Sequence, residues 1–205
     1  MNSVKWTLLA LLAAAVVLAC LRPPYPEEMY LQHSPTIALL IALPLLSRRF
    51  PLSNAAFGCL VAFMLLHTLG GRYNYSNVPY DRWATAWLGH DLSSALGWSR
   101  NHYDRLVHFA FGLLWARPVC EVSERHFGIP RHVAWISTVG FLLAFSALYE
   151  IFEWGLTVVL SPQEAGEYNG QQGDLWDAQK DMALALAGTL LGVVALVAGR
   201  DRGAS

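Results

Sequence analysis

The stretch Gln172-Gly173-Asp174-Leu175-Trp176-Asp177-Ala178-Gln179-Lys180-Asp181-Met182 decides how this chain is read. It stands directly before Ala183 to Ala198, a run of Ala, Leu, Val and Gly with a single Thr, which has the make-up of a membrane helix. Asp177 and Asp181 are four apart, so they share one helix face, one turn from each other. Two carboxylates so placed repel unless one is protonated or a cation lies between them, and the cost rises near lipid. Capping accounts for part of the pattern: Asp174 suits an N-cap and Asp177 the first turn, at the positive end of the helix dipole. Asp181 lies a full turn deeper, where a cap has no use for it. Acids inside membranes mark function by default.

Outward from that stretch the chain stays apolar. Of its 205 residues, 55% are hydrophobic and 14% charged, whereas a soluble domain carries about a quarter charged residues. The net charge of −1 provides no general pull toward nucleic acid. Cys20, Cys59 and Cys120 are scattered, form no CxxC and read as small apolar residues. There is no Gly-rich phosphate loop and no nucleophilic Ser or Cys motif, which argues against nucleotide hydrolysis. The expected fold is all-α, a polytopic membrane helix bundle forming a single integral membrane domain over residues 1–205. Six transmembrane helices are expected near 5–21, 30–47, 53–69, 103–119, 133–160 and 177–199.

The first run is read as a retained helix. Val17-Leu18-Ala19-Cys20 is similar to a lipoprotein cleavage signal, but Leu18 stands where smaller residues are usual. Arg22 to Glu28, rich in proline, breaks that helix. The second span carries Pro44 and is expected to kink; the third ends at Gly70-Gly71. Tyr80, Trp83, Trp87 and Leu88 recur at helical spacing and fit a short helix in the membrane interface. Residues beyond Val119, with Arg117, Glu121, Glu124, Arg125 and Arg131, read as a basic loop, and Ser161 to Asp174 as an acidic one. With six spans and the N-terminus inside, Lys5, Arg48, Arg49, Arg117, Arg125, Arg131, Arg200 and Arg202 are cytoplasmic, eight of the fourteen Lys and Arg. The expected topology is therefore N-in and C-in.

That topology brings the polar residues of four helices to one level. His67 ends the third span; Asp104 and His108 open the fourth; Glu150 and Glu153 lie near the end of the fifth; Asp177 and Asp181 open the sixth. At about 1.5 Å per residue all fall in the outer half of the membrane. Asp104 and His108 are i, i+4 and Glu150 and Glu153 are i, i+3, so each pair shares a face. The plainer readings are that Asp104 pairs with Arg100 or Arg105 and that His108 is a satisfied core histidine. Arg105 and Lys180 each flank an acid by one position and point to neighbouring faces. His33, His90, His126 and His132 are placed in loops and given no role. The third–fourth and fifth–sixth pairs share a weak pattern too sparse to define a repeat.

The strings Gly70-Gly71-Arg72-Tyr73-Asn74-Tyr75 with Val78-Pro79, and Asn101-His102-Tyr103-Asp104-Arg105 through His108-Phe109, stand out. So do Tyr149-Glu150-Ile151-Phe152-Glu153-Trp154 and Gln172 to Met182. Together they resemble the YjdF-like family of bacterial inner-membrane proteins, over nearly the whole chain. Asp-x-x-x-His-Phe, a later Glu and an Asp before a Gly-rich helix are more distantly similar to VanZ-like proteins of the cell envelope. Lys180 and Arg72 depart from the family pattern, which favours Trp at the first and a neutral residue or His at the second. The resemblance implies a multi-pass inner-membrane address and no settled activity.

Three functions compete. Imidazole and carboxylate together suit Zn²⁺ or Mn²⁺, which activates water in a membrane-embedded enzyme acting on lipid or an envelope precursor. Here His67, Asp104, His108 and Asp181 are the metal-ligand candidates, and Glu150, Glu153 and Asp177 the catalytic ones. Alternatively the carboxylates bind protons or a cation in a carrier, or the network only locks helices together in an envelope accessory protein.

Overall fold

The computed structural model describes residues 1–26, 29–159 and 171–201. Glu27, Glu28, Leu160, most of the predicted acidic loop and Arg202 lie outside the described residues. Every described element is a helix: α1 (Ser3–Cys20), α2 (Met29–Arg49), α3 (Asn54–Arg72), α4 (Tyr80–Leu88), α5 (Leu92–Leu96), α6 (Tyr103–His126), α7 (Arg131–Val159) and α8 (Asp177–Asp201). Five of them are long and apolar enough to cross a membrane. The 24-residue α6 has the length but carries Asp104, Arg105, Arg117, Glu121, Glu124 and Arg125, which hold its hydropathy below that of the others.

Polar contacts at the helix ends fix the direction of each rod. Asn2 Nδ2 donates to Asn54 Oδ1 at 3.0 Å and Lys5 Nζ to the Leu52 carbonyl at 2.6 Å, so α1 and α3 start together. Arg72 Nη1 donates to the carbonyls of Leu18, Ala19 and Leu21 at 3.2, 2.6 and 3.1 Å. It thereby satisfies acceptors that the last turn of α1 leaves open. Tyr103 at the start of α6 donates its hydroxyl to the Leu66 carbonyl near the end of α3. The six long helices thus alternate, with α1, α3 and α7 rising to the face from which α2, α6 and α8 descend. The core between α1, α2, α3 and α6 is built from Leu9, Leu12, Leu43, Phe57, Leu60, Val61, Met64 and Val107.

Several boundaries differ from the sequence reading. Gly70 and Gly71 continue α3 instead of ending it, because each lets a ring approach the backbone. A Cβ at Gly70 would lie 2.6 Å from the Tyr75 ring, and one at Gly71 3.1 Å from His33. The predicted basic loop after Val119 is helical to His126, held by Glu121, which accepts from Ser53 N and Oγ and from Arg125 Nη1. Three histidines assigned to loops are helical: His33 in α2, His126 at the end of α6 and His132 in α7. His33 is buried, with Nδ1 donating to the Met29 carbonyl at 3.0 Å. The expected interfacial helix is α4, which stops at Gly89 in the left-handed region (φ 82°). Its Trp87 and Leu88 point away from the protein.

The most extensive pairing joins α6 to α8. Asp177, Asp181, Ala185, Gly188 and Gly192 share one face of α8, and Asp104, His108, Gly112 and Ala116 one face of α6. An added Cβ at Gly112 would sit 1.9 Å from the Ala185 carbonyl oxygen, and one at Gly188 2.1 Å from that of Phe109. The Gly112 Cα is therefore no more than about 3.4 Å from that oxygen, within the range of a Cα–H···O contact. Small residues spaced four apart bring membrane helices together in this way. That closeness presses the acids of α8 against the aspartate and histidine of α6.

Candidate functional site

Two tiers of charge lie where α6 and α8 begin. The outer tier belongs to the loops. Asn101 N donates to Gln172 Oε1 at 2.9 Å and Gln172 Nε2 to the Asn101 carbonyl at 3.0 Å, a reciprocal pair that ties the two loops together. Gln172 and Gly173 make this turn with φ of 48° and 81°. Asp174 precedes the helix by three residues, and its carboxylate and carbonyl hold the turn that leads into it. Its Oδ1 accepts from Trp176 N, and its Oδ2 from Lys180 Nζ at 2.6 Å and from Arg105 Nη2. Lys180, Trp176 N and Arg105, in that order, hold the Asp174 carboxyl down at about 2. Arg100 Nη1 donates to Asp177 Oδ1, with Arg105 Nη2 3.5 Å from the same oxygen. Arg105 and Lys180, expected on faces neighbouring the acids, thus join this tier. Burial and the nearby Arg105 and Arg100 push the His102 imidazole below its ordinary value.

The inner tier lies a turn deeper and holds no such partners. Ligand atoms of Asp104, His108 and Asp181 all lie within 4.8 Å of one another. His108 Nε2 is 3.6 Å from Asp104 Oδ1, and its Nδ1 is 3.8 Å from Glu150 Oε1. No Arg or Lys among the described residues pairs with Asp104, Glu150 or Asp181. Asp181 is 2% exposed, and its Oδ1, like Glu150 Oε1, is buried without a hydrogen-bond partner. Arg100 and Arg105, offered as simple partners for Asp104, are engaged with Asp174 and Asp177 instead.

The structure therefore divides the sequence-predicted set. Asp104, His108 and Asp181 converge, with Glu150 beside them. Asp177 is committed to Arg100 in the outer tier, and Glu153, half-buried on α7, is outside the converging three. His67 is also apart. Its Nε2 donates to the Gln32 carbonyl at 2.9 Å, so its Nδ1 carries the lone pair that accepts the Tyr75 hydroxyl. Both ring nitrogens are occupied, which leaves none for a metal. Tyr75 takes up this position at a φ of 49°, over the bare face of Gly70.

His67 and Tyr75 face the inner tier across a cavity of about 230 Å³ whose walls include Asp104, His108, Phe111, Ser146 and Tyr149. Sequence reasoning gave Tyr75, Ser146 and Tyr149 no role at the site. For Tyr75 the signal was present in the glycine pair before it; for Ser146, a lone serine in an apolar helix, there was none.

The family described as Predicted membrane protein (DUF2238) matches residues 4–202. The chain belongs to this family. It is also similar to the inner membrane protein YjdF of Escherichia coli (strain K12), 34% identical over 171 residues that cover 81% of this chain and 76% of that protein. No solved structure matches it. With its several apolar helices, this family member is a multi-pass protein of the inner membrane.

Proposed function

We propose that the protein is a membrane-embedded, metal-dependent enzyme acting on a lipid or lipid-linked envelope precursor. Asp104, His108 and Asp181 hold a divalent cation, Zn²⁺ or Mn²⁺. The observation that carries this reading is the inner tier itself: carboxylates from three helices meet one imidazole, and no Arg or Lys among the described residues pairs with them. Three ionised acids in the span of a bilayer are costly without positive charge. A single divalent ion supplies it where Arg and Lys do not. Mixed nitrogen and oxygen donors suit Zn²⁺ or Mn²⁺, and three protein ligands leave a position open, the arrangement of catalytic rather than structural sites. When bound, such an ion activates water or polarises a carbonyl or phosphoryl oxygen. Asp104, His108 and Asp181 orient it, and Glu150, with an unpartnered oxygen on the same side, accepts a proton as general base. Asp177, Arg100 and Asp174 anchor the loops above.

One observation favours a second reading, a proton- or cation-coupled carrier: the open oxygens of Glu150 and Asp181 are equally satisfied by protons. Elemental analysis of protein purified without chelator separates the two. Wild type should hold one equivalent of metal, His108→Ala and Asp181→Asn should lose it while still folding, and His90→Ala, an exposed loop control, should keep it. Metal-free wild type that gains no thermal stability from Zn²⁺ or Mn²⁺ rejects the enzyme and leaves the carrier.

A further inference from the structure

Between α2 and α7 the bundle has an open seam. Their Cα atoms nowhere come within 8 Å of each other among the described residues, although α2 packs on α3, α7 packs on α6, and α3 and α6 pack together. Two cavities stack along this seam. The first is the 230 Å³ cavity beside Asp104 and His108, lined by Pro35 of α2 and Phe145 of α7. The second, about 490 Å³, continues toward the opposite face past Leu43, Trp115 and Phe141. Along α6 they run from Asp104 to Ser123, about 28 Å of helix. That is close to the thickness of a bilayer's hydrocarbon core, about 30 Å.

The walls are mostly apolar; Ser47, Ser123 and Ser137 line the second cavity, and the charged groups lie only at the end beside the inner tier. There Ser146 lines the first cavity; it is 3% exposed, and its Oγ has no hydrogen-bond partner. Buried hydroxyls in proteins nearly always have one. An acceptor oxygen is thus called for between the Asp104, His108 and Asp181 group and the cavities that lie along the α2–α7 seam. Water satisfies the hydroxyl but leaves the channel unfilled. Only an amphiphile satisfies both.

From this juxtaposition we infer that the α2–α7 seam is a lateral entry and binding groove for one hydrocarbon chain of a membrane lipid. The lipid's ester or phosphate oxygen accepts from Ser146 and lies beside Asp104, His108 and Asp181. The inference gives the lipid of the enzyme proposed above its binding place, and rests on that reading for the lipid's fate but not for its binding.

The test uses the full-length protein in vesicles of phosphatidylethanolamine and phosphatidylglycerol, the latter partly carrying a diazirine in one acyl chain. After irradiation and peptide mapping, adducts should fall on Leu39, Leu43 and Phe141 in the seam several-fold more often than on Leu11 and Val17, which are exposed on α1. Ser146→Phe fills the first cavity and should abolish the seam excess. Ser146→Ala adds no bulk and should reduce it while the protein folds normally. Equal labelling of seam and α1, unchanged in Ser146→Ala, means annular lipid only and overturns the inference. The same mapping on chelator-washed protein and on Asp181→Asn keeps the two readings apart. Seam labelling that persists in a protein shown to hold no metal retains the groove and removes the enzyme.

Discussion

Replacing Gly112 with alanine tests the contact on which the site depends. The new Cβ would stand 1.9 Å from the Ala185 carbonyl oxygen and 2.6 Å from Thr189 N, both backbone atoms that no side-chain rotation can move. Restoring ordinary contact requires α6 and α8 to separate locally by about 1.5 Å. Overpacking of this kind costs about 1–3 kcal/mol, and the largest value applies because the obstacle is backbone. Loss of the Cα–H···O contacts adds about 0.5–1 kcal/mol. Alanine's better helix propensity returns about 1 kcal/mol. The net loss is about 3 kcal/mol, or roughly 6–12 °C in the unfolding midpoint for a chain of this size. Gly140 in α7 provides the control, since nothing lies within 4 Å of a Cβ there. Gly140→Ala should melt at or slightly above wild type. Thermal unfolding of the detergent-purified proteins, followed by size-exclusion recovery, measures both. If Gly112→Ala melts with Gly140→Ala, the close crossing of α6 and α8 is wrong, and with it the convergence of Asp104, His108 and Asp181.

Arg100→Ala leaves Asp177, 4% exposed, without its strongest partner, and should lower stability by about 3–5 kcal/mol in the same assay; unchanged stability would show that the outer tier does not anchor the loops. Acid should act on that tier through Asp174. Because its folded pKa of about 2 lies below the unfolded value of about 3.9, its contribution is complete above pH 4 and is lost as the pH falls toward 2. Lys180→Ala should move that loss to higher pH, which an acid titration of folded protein detects. In a cysteine-free background, a membrane-impermeant thiol reagent should label Cys placed at Ser76 in intact cells and miss Cys at Ser123; the reverse pattern inverts the N-in topology and puts the charged tiers on the cytoplasmic face.

Much of the bundle was legible because hydropathy is a local property. The runs beginning at Trp6, Ser53 and Val133, and the apolar tail after Met182, each announce a helix without help from the rest of the chain. What escaped was non-local or ambiguous in sign. The stretch after Val119, to His126, reads as a basic loop until Glu121 is seen to hold Ser53, 68 residues away. His33 sits between polar residues and prolines and looks exposed, yet it is buried against Gly71. At the site, i, i+4 spacing was enough to pair Asp104 with His108 and to place Asp181 on the face of Asp177. It was not enough to tell the two acids of α8 apart, because that depends on Arg100 reaching Asp177 across 77 residues of sequence. The glycines that set the distance, Gly112, Gly188 and Gly192, were visible only as small residues.

The pairing of α6 with α8 has a consequence for how the protein is made. Among the six long helices, α6 is the poorest candidate to enter lipid unaided, yet its main partner begins at Asp177, 74 residues after Tyr103. At a synthesis rate of about 5–20 residues per second, α6 leaves the ribosome roughly 4–15 s before α8 does. During that interval Asp104, Arg105 and His108 face either the translocation machinery or the water at the membrane surface, with α3 already in place and α7 following before α8. Stable insertion of α6 therefore awaits α8. A nascent chain stalled before residue 177 would hold α6 at the membrane surface, open to proteases, and one stalled after the C-terminus of α8 would not.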